Sequence, residues 1–216
     1  MGTDKLPAAP AAPSTQLLLV RHGLTPTTGQ VLPGRAPGLH LSGSGQRQAR
    51  QIAQRLASLP VRAVYASPLE RTQETAAPTA ERFGLEVEVH DGLLECEFGE
   101  WTGEEIAELA KLPEWRTVQK KPSEFRFPGG ESFTEMQERI VDALQGIAAR
   151  HPGEVVACFS HADPLKAAIA HLDGRTLDEF QSVTVDPASI SVVEFAADGS
   201  PRLLATNTTT GTPGQR

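Results

Sequence analysis

The sequence predicts an α/β fold with three layers, α/β/α, around a mostly parallel central sheet. Short apolar runs of strand length alternate along the chain with longer segments whose apolar residues recur every three or four positions. The run "LLLV" at 17–20 is apolar throughout, which is typical of a strand buried on both faces. Strands that alternate with helices usually pair in parallel and carry helices on both faces of the sheet, so these two observations favour this class.

The first half of the chain contains three predicted strands and three predicted helices. The strands are placed at 16–20, 61–65 and 86–90, and the helices at 44–58, 69–83 and 103–110. Ser44 is assigned as the N-cap of the first helix, because serine is a preferred residue there. The surrounding "LSGSGQRQA" lacks the third glycine of a dinucleotide-binding turn, so we favour the cap.

The second half contains strands predicted at 154–159 and 190–195 and helices at 132–150, 164–172 and 177–182. The long helix has one apolar face, formed by Phe133, Met136, Ile140, Leu144 and Ile147. "SFTE" at its start is typical of a capping box in which Ser132 and Glu135 bond each other's backbone. For the helix at 164–172, Asp163 is predicted as the N-cap, with Pro164 in the first turn.

The chain is predicted to form one catalytic domain, residues 16–205, between flexible tails at 1–15 and 206–216. A length of 216 residues suits a single domain of about 200 residues. The basic segment 111–127 is predicted to form a loop-like flap, whose role the sequence leaves open. Trp115 and Phe125 in this flap, with Trp101, either line a substrate pocket or form a small hydrophobic patch below solvated cations.

Composition excludes several classes of protein. The net charge of −7 argues against a nucleic-acid partner or a membrane surface, both of which require a basic patch. No segment approaches the roughly 20 apolar residues that span a bilayer, and the start lacks the apolar core of a signal peptide. Cys96 and Cys158 are too few for a disulfide framework. We therefore expect a soluble, cytoplasmic protein.

Polar side chains collect where three predicted strands end. Arg21 and His22 follow the first strand, Arg71 lies in the helix after the second, and His161 follows the fourth. Parallel strands deliver their carboxyl ends to one edge of a sheet, so these groups are expected to meet. Guanidinium groups and helix N-termini both bind phosphate oxygens, so the sequence predicts a phosphoryl-binding site.

Four segments, "LLLVRHG", "SPLERTQETA", "LLECEFGEWTG" and "FSH", resemble in order the signatures of the histidine phosphatase superfamily, also called phosphoglycerate mutase-like. The resemblance covers roughly residues 16–195. "PGGES" at 128–132 resembles the phosphatase-type members. A phosphoglycerate mutase-like fold is therefore implied.

The resemblance also implies catalytic roles. His22 would be the nucleophile that forms a phosphohistidine, with its neutral ring aimed by a backbone carbonyl. Arg21, Arg71 and His161 would hold the phosphoryl oxygens. Glu95 would be the general acid and base, with Glu97 and Glu100 as nearby competitors. No metal ligand pattern is present in the sequence, and neither a metal nor another cofactor is expected.

Two further residues are candidate phosphate ligands. Thr28 occupies the loop position where family members often have asparagine, and a hydroxyl can still donate one hydrogen bond. Arg35 follows shortly after this loop, and a phosphate contact and a surface position are both open for it. Ala162 and Asp163 follow the second histidine, where a glycine is usual. If Asp163 caps the helix predicted at 164–172, its carboxylate turns away from the phosphoryl group.

Three functions are compatible with these residues. The favoured one is a metal-independent phosphomonoesterase acting on a small phosphorylated metabolite, because the chain lacks the longer central insertion of the mutases. A phosphoglycerate mutase-type isomerase is the alternative, and a non-catalytic binding module is a third reading that the filled catalytic positions disfavour. An unpaired edge strand would permit a homodimer without requiring one. The remaining histidines, His40, His90, His151 and His171, are interpreted as structural or surface residues.

Overall fold

A six-stranded sheet forms the centre of the computed structural model, which describes residues 14–214. The strands are β1 (Thr15–Arg21), β2 (Val61–Ala66), β3 (Val87–Val89), β4 (Val155–Ser160), β5 (Ile190–Phe195) and β6 (Pro201–Thr208), in the spatial order β3-β2-β4-β1-β5-β6. β1, β2, β3 and β4 pair in parallel, whereas β5 pairs antiparallel with both β1 and β6. The predicted mostly parallel sheet is confirmed.

Within residues 14–214, six α-helices and four short 3₁₀ helices connect or follow these strands. The α-helices are α1 (Gly43–Arg55), α2 (Glu70–Phe83), α3 (Ile106–Leu109), α4 (Trp115–Lys120), α5 (Phe133–Arg150) and α6 (Ala162–Leu172). The 3₁₀ helices are Asp91–Leu93, Gly99–Trp101, Pro122–Glu124 and Leu177–Ser182. Among residues 14–214 no helix is long and apolar enough to cross a bilayer.

The three layers follow from the alternation of side chains along the central strands. Leu18 and Val20 of β1 point to one face of the sheet, where they share a hydrophobic cluster with residues of α1 and α2. Leu17 and Leu19 point to the other face, where residues of α5 and α6 complete the core. Both faces of β1 are therefore buried, as the continuous apolar run predicts.

The carboxyl ends of β2, β4 and β1 lie side by side, and this arrangement positions the site. Arg21 at the end of β1 is in register with Ser160 at the end of β4, and Ala66 of β2 is in register with Phe159. The segments that leave these strands therefore emerge at one edge of the sheet.

The observed N-cap residue is the predicted one at helix α5 and differs from the predicted one at helices α1 and α6. The predicted capping box is confirmed, since Ser132 Oγ accepts from the Glu135 amide at 3.1 Å and Glu135 accepts from the Ser132 amide at 2.9 Å. Helix α1 is capped by Ser42 instead of Ser44, because Ser42 Oγ accepts from the Gly45 amide. Helix α6 begins at Ala162 with His161 as its N-cap residue, so the prediction of Asp163 as the cap is wrong.

The C-terminal part of the chain extends the sheet beyond residue 205. β6 runs to Thr208, and Arg55 of α1 donates to the carbonyl oxygens of Thr208 at 2.9 Å and Gly211 at 2.8 Å. The predicted tail at 206–216 therefore begins within an edge strand. The predicted N-terminal tail lies outside the described residues as far as residue 13, while Thr15 belongs to β1.

The predicted flap at 111–127 contains α4 and the 3₁₀ helix Pro122–Glu124, and it packs on the rest of the molecule through its aromatic residues. Trp101 stacks on Trp115 with ring centroids 6.2 Å apart and contacts Phe125 at 5.4 Å. Trp101 and Phe125 are buried. These rings therefore form a hydrophobic patch of the core, which was one of the two readings left open by the sequence.

Candidate active site

A cavity of about 160 Å³ opens at the carboxyl ends of β1 and β4. Its polar lining includes Arg21, His22, Thr28, Glu95 and Asp163. Its apolar lining includes Leu32, Phe98 and Ile106, while the aromatic residues of the flap do not reach it. Four of the seven residues singled out for phosphoryl chemistry, Arg21, His22, Thr28 and Glu95, thus line one small cavity, whereas Arg71, His161 and Arg35 are not among its lining residues.

His22 follows β1 directly and is held by its backbone and by its ring. The His22 amide donates to the Ser160 carbonyl of β4 at 3.1 Å, and ring Nδ1 lies 2.8 Å from the Gly23 carbonyl oxygen. A carbonyl can only accept, so Nδ1 carries the proton and Nε2 is left with its lone pair. Burial, with the positive charges of Arg71 and Arg21, lowers the pKa of His22 to about 3. The ring is therefore neutral at physiological pH.

His161 lies beside His22, with the ring centroids 5.3 Å apart and the ring planes inclined by 62°. Its side chain is fully buried, and Nε2 lies 2.7 Å from the Ser67 hydroxyl at the end of β2. Burial, reinforced by Arg71, holds the pKa of His161 well below its ordinary value. Nδ1 has no hydrogen-bond partner within the described part of the chain. When Ser67 donates to Nε2, the proton lies on this unpartnered nitrogen.

Arg71, in the first turn of α2, is a fully buried guanidinium that forms no ion pair with the part of the chain that the structure describes. Its Nη2 donates to the Gly34 carbonyl at 2.8 Å, but Nε and Nη1 have no partner among residues 14–214. Arg21 is arranged similarly, since Nη1 donates to the Val185 carbonyl at 2.7 Å and Nε is unpartnered among the same residues. Burying such donors unpaired is costly, so both guanidinium groups are candidate anion-binding groups.

Glu95 is the glutamate of "LLECEFGEW" that reaches the cavity. Its side chain is buried, and Oε1 accepts from the Cys96 amide at 2.9 Å. Burial, together with the negative charge of Asp163, raises the pKa of Glu95 to about 7 although Arg71 and Arg21 act in the opposite direction. Both protonation states are therefore accessible near neutral pH, as a group that donates and then accepts a proton requires.

The competing glutamates lie elsewhere. Glu97 Oε2 is 3.7 Å from Arg35 Nη1, and the Glu100 side chain is exposed. Neither residue lines the cavity. Geometry thus selects Glu95 from the three candidates left open by the sequence.

Of the two further candidate phosphate ligands, Thr28 lines the cavity and Arg35 does not. Thr28 lines the cavity, with Oγ1 accepting from the Thr25 amide at 2.9 Å and lying 2.9 Å from the Thr25 hydroxyl. Arg35 does not line it, because its Nε donates to the Glu95 carbonyl at 2.8 Å and its Nη2 to Glu131 Oε2 at 2.8 Å. Arg35 is thus bound to the Glu95 backbone and to Glu131, and the phosphate contact left open for it by the sequence stays a prediction.

Asp163 is the residue of the cavity whose position the sequence analysis missed. Because α6 begins at Ala162, two residues earlier than the predicted start at Pro164, Asp163 lies in its first turn, makes no cap, and lines the cavity instead of turning away. Its side chain is 20% exposed, and Oδ1 lies 4.0 Å from Lys166 Nζ. Burial raises the pKa of Asp163, with Lys166 and Arg21 opposing the shift.

The family of the chain follows from comparison with known proteins. The sequence profile of the histidine phosphatase superfamily (branch 1) matches residues 17–209. The chain belongs to this superfamily. The family and the phosphoglycerate mutase-like fold predicted from the four segments are both confirmed.

Three relatives illustrate the range of the superfamily around this member. Phosphoserine phosphatase 1 of Hydrogenobacter thermophilus is 36% identical over 185 residues, which cover 83% of this chain and 86% of the relative. A protein named "Probable phosphoglycerate mutase" of Enterobacter sp. is 28% identical over 182 residues, covering 83% and 85%. The solved phosphoserine phosphatase of Entamoeba histolytica in complex with 3-phosphoglyceric acid superposes with a TM-score of 0.79 at 25% identity, covering 90% of this chain and 97% of that one.

Proposed function

We propose that this superfamily member is a metal-independent phosphomonoesterase that hydrolyses a small phosphorylated metabolite through a phosphohistidine formed on His22. The observation that carries the proposal is the pairing of a neutral, oriented His22 with the unpaired, buried guanidinium of Arg71. The first supplies a lone pair for attack on phosphorus. The second supplies donors for the phosphoryl oxygens, whose charge must be held as the bond to the leaving group breaks.

In the first step, Nε2 of His22 attacks phosphorus and the bond from phosphorus to the ester oxygen breaks. Arg21, Arg71 and His161 Nδ1–H donate to the three equatorial oxygens, and Thr28 borders the same space. Protonated Glu95 gives its proton to the departing oxygen, so an alcohol leaves instead of an alkoxide.

In the second step, a water molecule attacks phosphorus and the bond to His22 breaks. The Glu95 carboxylate left by the first step takes a proton from this water, which restores the acid and releases inorganic phosphate. The sum of the two steps is ester plus water giving alcohol plus phosphate, and no electron acceptor or metal enters the balance.

Relatives favour hydrolysis over isomerisation. The relative named a phosphatase is 36% identical, whereas the one named a mutase is 28% identical over a similar length. The two relatives named phosphoserine phosphatases point to a short, carboxylated phosphate ester as the substrate class. The small cavity is consistent with this size of substrate. The cytoplasmic location and the homodimer permitted by the edge strands stay predictions.

The test is a phosphate-release assay on phosphoserine, 3-phosphoglycerate and sugar phosphates in the presence of a chelator. We expect release without added metal, and an acid-labile phosphoenzyme in rapidly quenched samples. His22→Ala should abolish both signals. Activity that requires added Mg²⁺, or that survives His22→Ala, would contradict the proposal, and interconversion of 2- and 3-phosphoglycerate without release would support the mutase instead.

A further inference from the structure

The segment that carries Glu95 is held by side chains instead of by a sheet or helix. Residues 94–98 have no regular secondary structure. Arg139 of α5 donates through Nη1 to the carbonyls of Gly92 at 3.0 Å and Leu94 at 2.9 Å, and through Nη2 to that of Glu95 at 3.3 Å. Arg35 donates to the same Glu95 carbonyl at 2.8 Å. Two guanidinium groups therefore fix the backbone from which the candidate acid projects.

Glu131 joins these two arginines. Its Oε1 lies 2.6 Å from Arg139 Nη2, and its Oε2 lies 2.8 Å from Arg35 Nη2. The Glu131 side chain is only 14% exposed, so solvent screens these ion pairs weakly. Without the carboxylate, two neighbouring positive charges would repel each other while bonded to adjacent carbonyls.

The backbone around Glu131 also docks on the acid segment. The Glu131 amide donates to the Glu97 carbonyl at 3.0 Å, and the Glu100 amide donates to the Pro128 carbonyl at 2.8 Å. A Cβ on Gly130 would lie 2.2 Å from the Glu97 oxygen, so only glycine permits this approach. The "PGGES" motif thus brings Glu131 against the segment that carries Glu95.

We propose that Glu131 is a positioning residue for the general acid, acting through Arg35 and Arg139 to hold the Glu95 carboxyl at the leaving-group oxygen. The proposal rests on the proposed function, because it assigns a role relative to Glu95. It accounts for a motif that the phosphoryl-binding groups do not use, and for the position of Arg35 outside the cavity.

The test uses the dependence on the leaving group. An alkyl ester such as phosphoserine needs a proton from Glu95 as its oxygen departs, whereas p-nitrophenolate leaves from p-nitrophenyl phosphate without one. Glu131→Gln keeps the size of the side chain but turns an amide NH₂ toward one arginine. General acid catalysis contributes about 10²–10⁴-fold, so we expect kcat on phosphoserine, or on the best alkyl ester of the panel, to fall at least about tenfold. The first nitrophenol turnover, measured by stopped flow, should change less than about threefold, since that step needs no acid.

Glu100→Gln is the matched control, because Glu100 is an exposed glutamate beside the same turn and loses the same charge. It should leave both rates unchanged. If Glu131→Gln does not fold, Arg35→Lys replaces it, since lysine keeps the charge but cannot donate to two acceptors in the same fork geometry. Equal losses on the two substrates, or no loss on the alkyl ester, would overturn the proposal. Failure of the proposed function would show separately, as nitrophenol release that survives His22→Ala.

Discussion

Replacement of Arg71 by methionine is expected to stabilise the fold while abolishing turnover. Arg71 is fully buried, and within residues 14–214 its side chain makes one hydrogen bond, from Nη2 to the Gly34 carbonyl. Removing a buried charge and filling its space with an apolar chain recovers several kcal/mol of desolvation free energy. Loss of the bond to Gly34 costs about 1–3 kcal/mol, because it leaves a buried carbonyl unpaired.

The net change is therefore a gain of about 1–2 kcal/mol in the free energy of unfolding. For a chain of this size, that corresponds to a rise in Tm of about 2–8 °C. The measurement is thermal and urea unfolding in phosphate-free buffer, together with kcat. Inorganic phosphate at about 100 times its Kd should stabilise the wild type by about 2.7 kcal/mol and the variant by much less.

Arg82→Met is the matched control, since Arg82 lies in the last turn of the same helix and is exposed. Its effect on stability should stay within about 0.5 kcal/mol. Destabilisation of Arg71→Met by more than about 2 kcal/mol would contradict this prediction, because the guanidinium would then be a structural element of the core instead of an anion-binding group. Equal stabilisation of variant and wild type by phosphate would refute it as well.

Two further predictions concern proton transfer and the turn beside Glu95. The pKa of Glu95 is raised to about 7, so kcat/KM on alkyl esters should fall as pH rises above about 7 and Glu95 loses the proton that it donates. The pKa of His22 is lowered to about 3, so protonation of His22 should not lower kcat/KM at mildly acidic pH. Asp163→Asn removes a negative charge that holds the Glu95 proton, so this alkaline limb should move to lower pH in the measured profile, and an unmoved limb would contradict the assignment. Gly130→Ala should lower stability by more than about 2 kcal/mol, because its Cβ would meet the Glu97 oxygen at 2.2 Å. Gly146→Ala, at an exposed position of α5 with open space around it, should instead raise stability by about 0.5–1 kcal/mol in the same unfolding assay.

The parts of the site that the sequence predicts are those encoded locally. His22, Arg71 and His161 each follow the carboxyl end of a strand, and strand ends can be read from apolar runs that stop abruptly. Their convergence then follows from the parallel pairing of β2, β4 and β1. The neutral form of His22 was also expected, and the Gly23 carbonyl that orients its ring lies in the adjacent residue.

The parts of the fold and of the site that the sequence does not predict depend on where a helix starts, on an edge strand, or on contacts between residues far apart in the sequence. Asp163 enters the cavity because α6 starts at Ala162, one residue before the predicted cap, and helix starts are not resolved at that precision by residue preferences. β6 was missed because it is a partly exposed edge strand without a continuous apolar run. The contacts of Arg35 with Glu95 and Glu131 join residues 60 and 96 positions apart, which no local pattern records.

Four arginines surround the site, and the presence or absence of a carboxylate partner divides them into two pairs. Arg35 and Arg139 share Glu131, and Arg35 Nη1 also lies 3.7 Å from Glu97 Oε2, so each of these two arginines has a carboxylate partner before any substrate arrives. Arg21 and Arg71 bond only backbone carbonyls and keep unpartnered donors within the described chain. An anion gains little from the first pair and much from the second, because only unpaired buried charges recover their desolvation cost on binding. The pairing state of each arginine, which a sequence motif does not contain, therefore distinguishes the residues proposed to bind phosphate from those proposed to position the acid.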